Sequence, residues 1–161
     1  MQKTFSNPPG VAAPGGLYSH VARLDVAGGT LLFVSGQVAL DSEGRLVGRG
    51  DVAAQAEQVF ANLKAILEAN GASFRDVLKM NTYIVDATQL AAVRAVRARY
   101  FGDHRPASTA VGVTRLAQEE FLIEIEVVAA LARRRARRPR PAATARSAVR
   151  RRRAGRARRR A

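Results

Sequence analysis

Two carboxylates stand two residues apart in an otherwise apolar run, Phe121–Leu131 (FLIEIEVVAAL). Read as a β-strand, the run puts Leu122, Glu124, Glu126 and Val128 on one face and Ile123, Ile125 and Val127 on the other. A carboxylate on such a strand is costly to bury unless it is paired or used. Glu124 and Glu126 are therefore the first candidates for a functional site. A plain ion pair with Lys79 or Arg115 is the competing explanation for Glu126. The other chemistry-bearing residue types offer less. His20 and His104 have neither metal-ligand spacing nor a paired nucleophile, and read as core or surface histidines. Gly10, Gly15 and Gly16 follow no strand and open no helix, so they form no phosphate loop. The chain has no cysteine, which removes disulfides and thiolate metal sites.

The acidic strand needs a scaffold. Thr109–Leu116, rich in β-branched and small residues, reads as its companion strand across a short polar turn. Upstream, a short strand at Lys3–Phe5 precedes a Pro- and Gly-rich loop, and Leu17–Val26 alternates as a strand. Ala27-Gly28-Gly29 is a hairpin turn, and Thr30–Leu40 is the next, mostly apolar strand. Asp51 is the N-cap of a helix whose stripe is Val52, Ala56, Val59, Phe60, Leu63, Ile66 and Leu67, ended by Asn70-Gly71. Val77–Val85 is a strand. Ala87–Phe101 is a second helix, with Leu90, Val93, Val96 and Tyr100 inward and Arg94, Arg97 and Arg99 around its other sides. The order ββ(β)αβαββ predicts an α+β domain, with two helices on one face of a mixed sheet. The other sheet face is largely apolar and needs a cover, which points to oligomerisation.

Composition divides the chain. Of its 161 residues, those from Arg133 to Arg160 include 15 arginines and no acid; the other 12 of the 27 Lys and Arg face all 13 Asp and Glu, a net −1. The total of +14 thus belongs to the tail. Residues 1–131 read as one domain, and 132–161 as a disordered arginine-rich tail. Three readings of the tail stand open: a sequence-blind nucleic-acid arm, a solubility or membrane-surface tail, or a segment without function from GC-rich message read past the domain's end. No apolar run nears the roughly 18 residues that span a membrane. No basic segment followed by an apolar one opens the chain, so the expected location is cytoplasmic.

The segments GGLYSHV, LLFVSGQVAL, DVAAQAEQVFANLKAILEANGAS, DVLKMNTYIVD, RPASTAVGVTRL and IEIEVVA, in that order and spacing, resemble the Rid (reactive intermediate deaminase) family, also called YjgF-like. The resemblance covers nearly all of residues 1–131. It implies a chorismate-mutase-like fold, a homotrimer with sheets facing inward, and small-molecule clefts between subunits. It also implies hydrolysis of reactive enamines and imines such as 2-aminoacrylate to keto acids and ammonia, with no metal or organic cofactor. By position, Glu124 corresponds to the glutamate that orients or activates water. Tyr18, Ser35 and Gly36 correspond to cleft-lining groups, and Arg94 stands where the family often has an asparagine that reaches the cleft.

One position departs. The family signature reads Pro-Ala-Arg-Ser, and here Pro106-Ala107-Ser108-Thr109 puts Ser108 where the arginine grips the substrate carboxylate. A hydroxyl does not replace a guanidinium, and losing a buried bidentate pair costs about 2–5 kcal/mol. Two further cations come into question. Arg105 lies at an odd offset from Ser108, in a loop; Arg94 stands on the second helix, either as a relocated anion anchor or as a solvated surface arginine. A metabolite-binding or regulatory trimer without catalysis is the alternative to an imine deaminase.

Overall fold

The computed structural model describes residues 1–132. The expectations for the arginine-rich tail lie outside the described residues. Three strands open the chain: β1 (Gln2–Ser6), β2 (Val21–Val26) and β3 (Gly29–Gln37). Then come helix α1 (Val52–Ala69), strand β4 (Val77–Ile84), helix α2 (Leu90–Phe101), and strands β5 (Ala107–Gly112) and β6 (Ile123–Ala132). The six strands form one sheet in the order β1-β2-β3-β6-β4-β5. Among the described residues only β4 and β5 run parallel, joined by the crossover through α2; the other pairs are antiparallel. The fold is the expected α+β arrangement with one mixed sheet and two helices.

The differences from the expected bounds have local causes. β2 starts at Val21 rather than Leu17 because the preceding backbone and ring atoms are engaged elsewhere. The His20 amide donates to Asn7 Oδ1 at 2.8 Å, and its Nε2 bonds the Ala12 carbonyl at 2.7 Å. These bonds pin the Pro- and Gly-rich loop to the sheet's end. Asp86 caps a short 3₁₀ turn, Ala87–Gln89, so the α-helical part of α2 starts only at Leu90. β5 stops at Gly112, after which the Val113 amide still bonds the Ile84 carbonyl at 2.9 Å.

α1 is capped by Asp51, whose carboxylate accepts from the Ala53 and Ala54 amides, satisfying two of the helix's free first-turn donors. Its buried stripe of Val59, Phe60, Leu63, Ile66 and Leu67 packs with Leu32, Ile123, Ile125 and Val127 of the sheet. Phe60, Phe74, Tyr100 and Phe101 form an aromatic cluster between the helices, with ring centroids 4.8–6.2 Å apart. Tyr100 caps the cluster with its hydroxyl on Glu57 Oε1 at 2.7 Å; burial first, then that acceptor, pushes its phenol up to about 12. Among the described residues nothing covers the opposite sheet face. Phe5, Phe33 and Val111 lie there 68%, 45% and 44% exposed. Among the described residues no helix is long and apolar enough to cross a membrane.

Candidate functional site

The two acidic residues of β6 sit on the uncovered face, and their surroundings separate them. Glu126 is tied down: Asn81 Nδ2 donates to its Oε1 at 2.7 Å and the Tyr83 hydroxyl at 3.0 Å. Neither Lys79 nor Arg115 pairs with it. Its bond to Tyr83 is also the largest cause holding that phenol above its usual range. Glu124 is half-buried and, among the described residues, has no side-chain hydrogen bond or ion pair. Burial first, then the charge of Glu126, raises its carboxyl above the ordinary carboxylate range. A carboxyl without a partner, holding its proton more tightly than usual, is suited to acid–base work.

Gly36 makes room for that carboxyl. The β3–β6 register slips between Val34 and Gln37, a bulge centred on Ser35-Gly36, and bulges of this kind re-aim side chains at sites. A Cβ on Gly36 would overlap the Glu124 carboxylate. Ser35 fixes the bulge from the other side. Its hydroxyl donates to the Ser19 carbonyl at 2.8 Å, and its amide to the His20 carbonyl at 2.9 Å. Gln37 holds the neighbouring ring through a 3.2 Å contact of Nε2 with His20 Nδ1. His20 is thus a buried structural histidine, and exposed Tyr18 stands edge-on to it at 5.8 Å. Tyr18, Ser35, Gly36 and Glu124 belong to this one region.

Ser108 and Arg94 lie elsewhere. Parallel register pairs Ser108 with buried Met80, whereas antiparallel register pairs Glu124 with Tyr83. Met80 and Tyr83 point to opposite faces of β4, so Ser108 and Glu124 are on opposite faces of the sheet. Ser108 and Arg94 line a cavity of about 330 Å³ between α2 and the edge strand β5, with Thr82, Val93 and Arg97. The expected site residues thus form two groups that one chain does not bring together. Sequence reasoning missed Arg97, whose Nη1 donates to Ser108 Oγ at 3.2 Å. Its only signal was its place three residues after Arg94. Arg105 turns back on the Gly102 and His104 carbonyls. Among the described residues no group of His, Asp or Glu side chains could hold a metal ion.

The comparisons bear on the family and the fold. A family model described as Endoribonuclease L-PSP matches residues 10–131. A RutC family protein of Pyrococcus horikoshii is 41% identical over 116 residues, 72% of this chain and 88% of that one. A 2-iminobutanoate/2-iminopropanoate deaminase of Dermatophagoides farinae is 30% identical over 126 residues, 78% and 94% of the two chains. Among solved structures, RidA from the Antarctic bacterium Psychrobacter matches with a TM-score of 0.69 at 34% identity, covering 81% of this chain and 100% of that one. YyfA, a Rid family protein of Yersinia pestis, matches at 0.73 and 29% identity, with the same coverage. The chain belongs to the Endoribonuclease L-PSP family, the group that includes the YjgF, RidA and RutC proteins.

Proposed function

We propose that this protein hydrolyses small reactive imines, and the enamines in equilibrium with them, to carbonyl compounds and ammonia. The observation that carries the reading is Glu124: an unpaired, half-buried carboxyl with a raised pKa, seated over Gly36 in a bulge. Such a group takes a proton from water as it adds to the iminium carbon. It then returns the proton to nitrogen as the carbon–nitrogen bond breaks. The net change is iminium plus water to carbonyl plus ammonium, the hydroxyl proton leaving with the departing ammonia, which needs acid–base catalysis by one group. The activity for which the Dermatophagoides relative is named supports the same class. The Nε2 atoms of His20 and His104 are engaged by the Ala12 and Val77 carbonyls. The described residues therefore offer no free histidine pair for phosphodiester cleavage.

The complete site, in this reading, lies between copies in a homotrimer. The Glu124 half comes from one chain and the α2–β5 cavity from its neighbour. Two features support assembly: the apolar side chains on the uncovered face, and the edge strand β5, exposed along its whole length. Unpaired edges and apolar faces of this kind are covered in stable proteins.

The test is ammonia release from enzymatically generated 2-iminobutanoate by the full chain. The expected result is acceleration over buffer that Glu124→Gln reduces by about 100-fold or more, the scale of a lost general acid–base group. Acceleration that survives in Glu124→Gln would remove the reading's basis.

A further inference from the structure

Helix α2 carries three arginines with different electrostatic surroundings. Arg99 faces α1 and is neutralised by Glu57. Arg94 and Arg97, one turn apart, face the α2–β5 cavity, and none of the ion pairs among the described residues involves either. Arg97 is the more enclosed. Its guanidinium lies 5.2 Å from the Phe101 ring centroid and donates to Ser108. Burial first, then the charges of Arg105 and Arg94, lowers its pKa. Arg94 and Arg97 also border a second cavity of about 250 Å³, with Phe101, His104 and Arg105. Three guanidiniums around two small cavities, without an acid among them, raise the local potential in a way an anion relieves and a dianion relieves more.

We propose that Arg97, reaching across from α2 to Ser108, is the carboxylate anchor of this cleft, and that Arg94 beside it selects a substrate with a second negative charge. The anchor has moved from strand to helix: Ser108 leaves room for a guanidinium entering from the side and fixes it through its hydroxyl. Its place over the Phe101 ring narrows the orientations open to the fork, which favours bidentate binding of a carboxylate. The ligand class is a small dicarboxylic imine or its keto-acid product. This inference rests on the imine-hydrolase reading for the identity of the substrate, but its binding chemistry stands on the cavity.

The test is calorimetric, and so independent of turnover. Two probes are titrated into the full chain at low salt: 2-oxobutanoate, with one carboxylate, and 2-oxoglutarate, with two. The expected result is that 2-oxoglutarate binds more tightly, and that its advantage shrinks as salt rises. Arg97→Gln weakens both probes by about 30-fold or more, and Arg97→Lys restores only part, because an ammonium lacks the fork. Arg94→Gln weakens 2-oxoglutarate more than 2-oxobutanoate, so that the advantage of 2-oxoglutarate is lost. In the double variant Arg97→Gln/Ser108→Arg, 2-oxobutanoate binding returns, which repair of a merely structural loss would not produce. The proposal is overturned if neither probe binds, if Arg97→Gln leaves both affinities unchanged, or if the two probes bind alike. Loss of binding in Arg97→Gln without turnover of any imine sinks the hydrolase reading and leaves the anchor. Unchanged binding with Glu124-dependent turnover does the reverse.

Discussion

At the scale of single residues, the difference between two glutamates on one strand face organises the account. Among the described residues Glu126 has two donors and Glu124 has none. With its pKa raised by burial, Glu124 binds its proton more tightly in the folded state than in the unfolded chain. Its contribution to stability is therefore most favourable at acidic pH, and falls as pH rises from the ordinary carboxylate range through the raised value. Glu124→Gln removes that fall: urea midpoints of variant and parent should diverge in the variant's favour from acidic to neutral pH. A constant difference would contradict the environment assigned to Glu124. Gly36→Ala should cost about 1–3 kcal/mol, the scale of an overpacked site, and displace the carboxyl. At least tenfold lower turnover in a folded protein is the expected result. The family signature made Glu124, Ser35 and Gly36 legible in the sequence. Arg97 was not legible, because its role depends on which side of α2 meets β5, and the apolar stripe of that short helix fixes its rotation only loosely.

At the scale of elements, both helices are anchored by features the sequence displays. Asp51→Ala removes two accepted amide bonds at the start of α1 and should cost about 1 kcal/mol with turnover unchanged. Phe60→Ala opens a cavity among the three aromatic rings it touches and should cost about 3–5 kcal/mol. Chemical denaturation measures both. The order of strands and helices was legible because periods of two and 3.6 residues alternate cleanly along the chain. The relative placement of Ser108 and Glu124 was not. It depends on the parallel register of β5 with β4 and the bulges beside Val34 and Val77. A slip of one residue at any of these would exchange the faces.

At the scale of the whole molecule, the proposed site, with Glu124 and the α2–β5 cavity on opposite faces of one sheet, requires an assembly. The full chain should sediment as a trimer, and Phe33→Lys, which puts a charge on the uncovered face, should dissociate it and abolish turnover. A stable parent monomer would leave that apolar face unexplained. The most direct measurement is complementation between half-sites. Glu124→Gln removes the acid–base group, and Ser108→Trp fills the α2–β5 cavity whichever cation anchors the substrate. Each variant alone should release little ammonia from 2-iminobutanoate. Folded together from denaturant into mixed closed trimers, they should recover roughly a quarter of the parent's rate, because about one interface in four joins an intact Glu124 to an intact cavity. Failure of the mixed trimers to recover activity would contradict a site shared between chains, as would full activity in either variant alone.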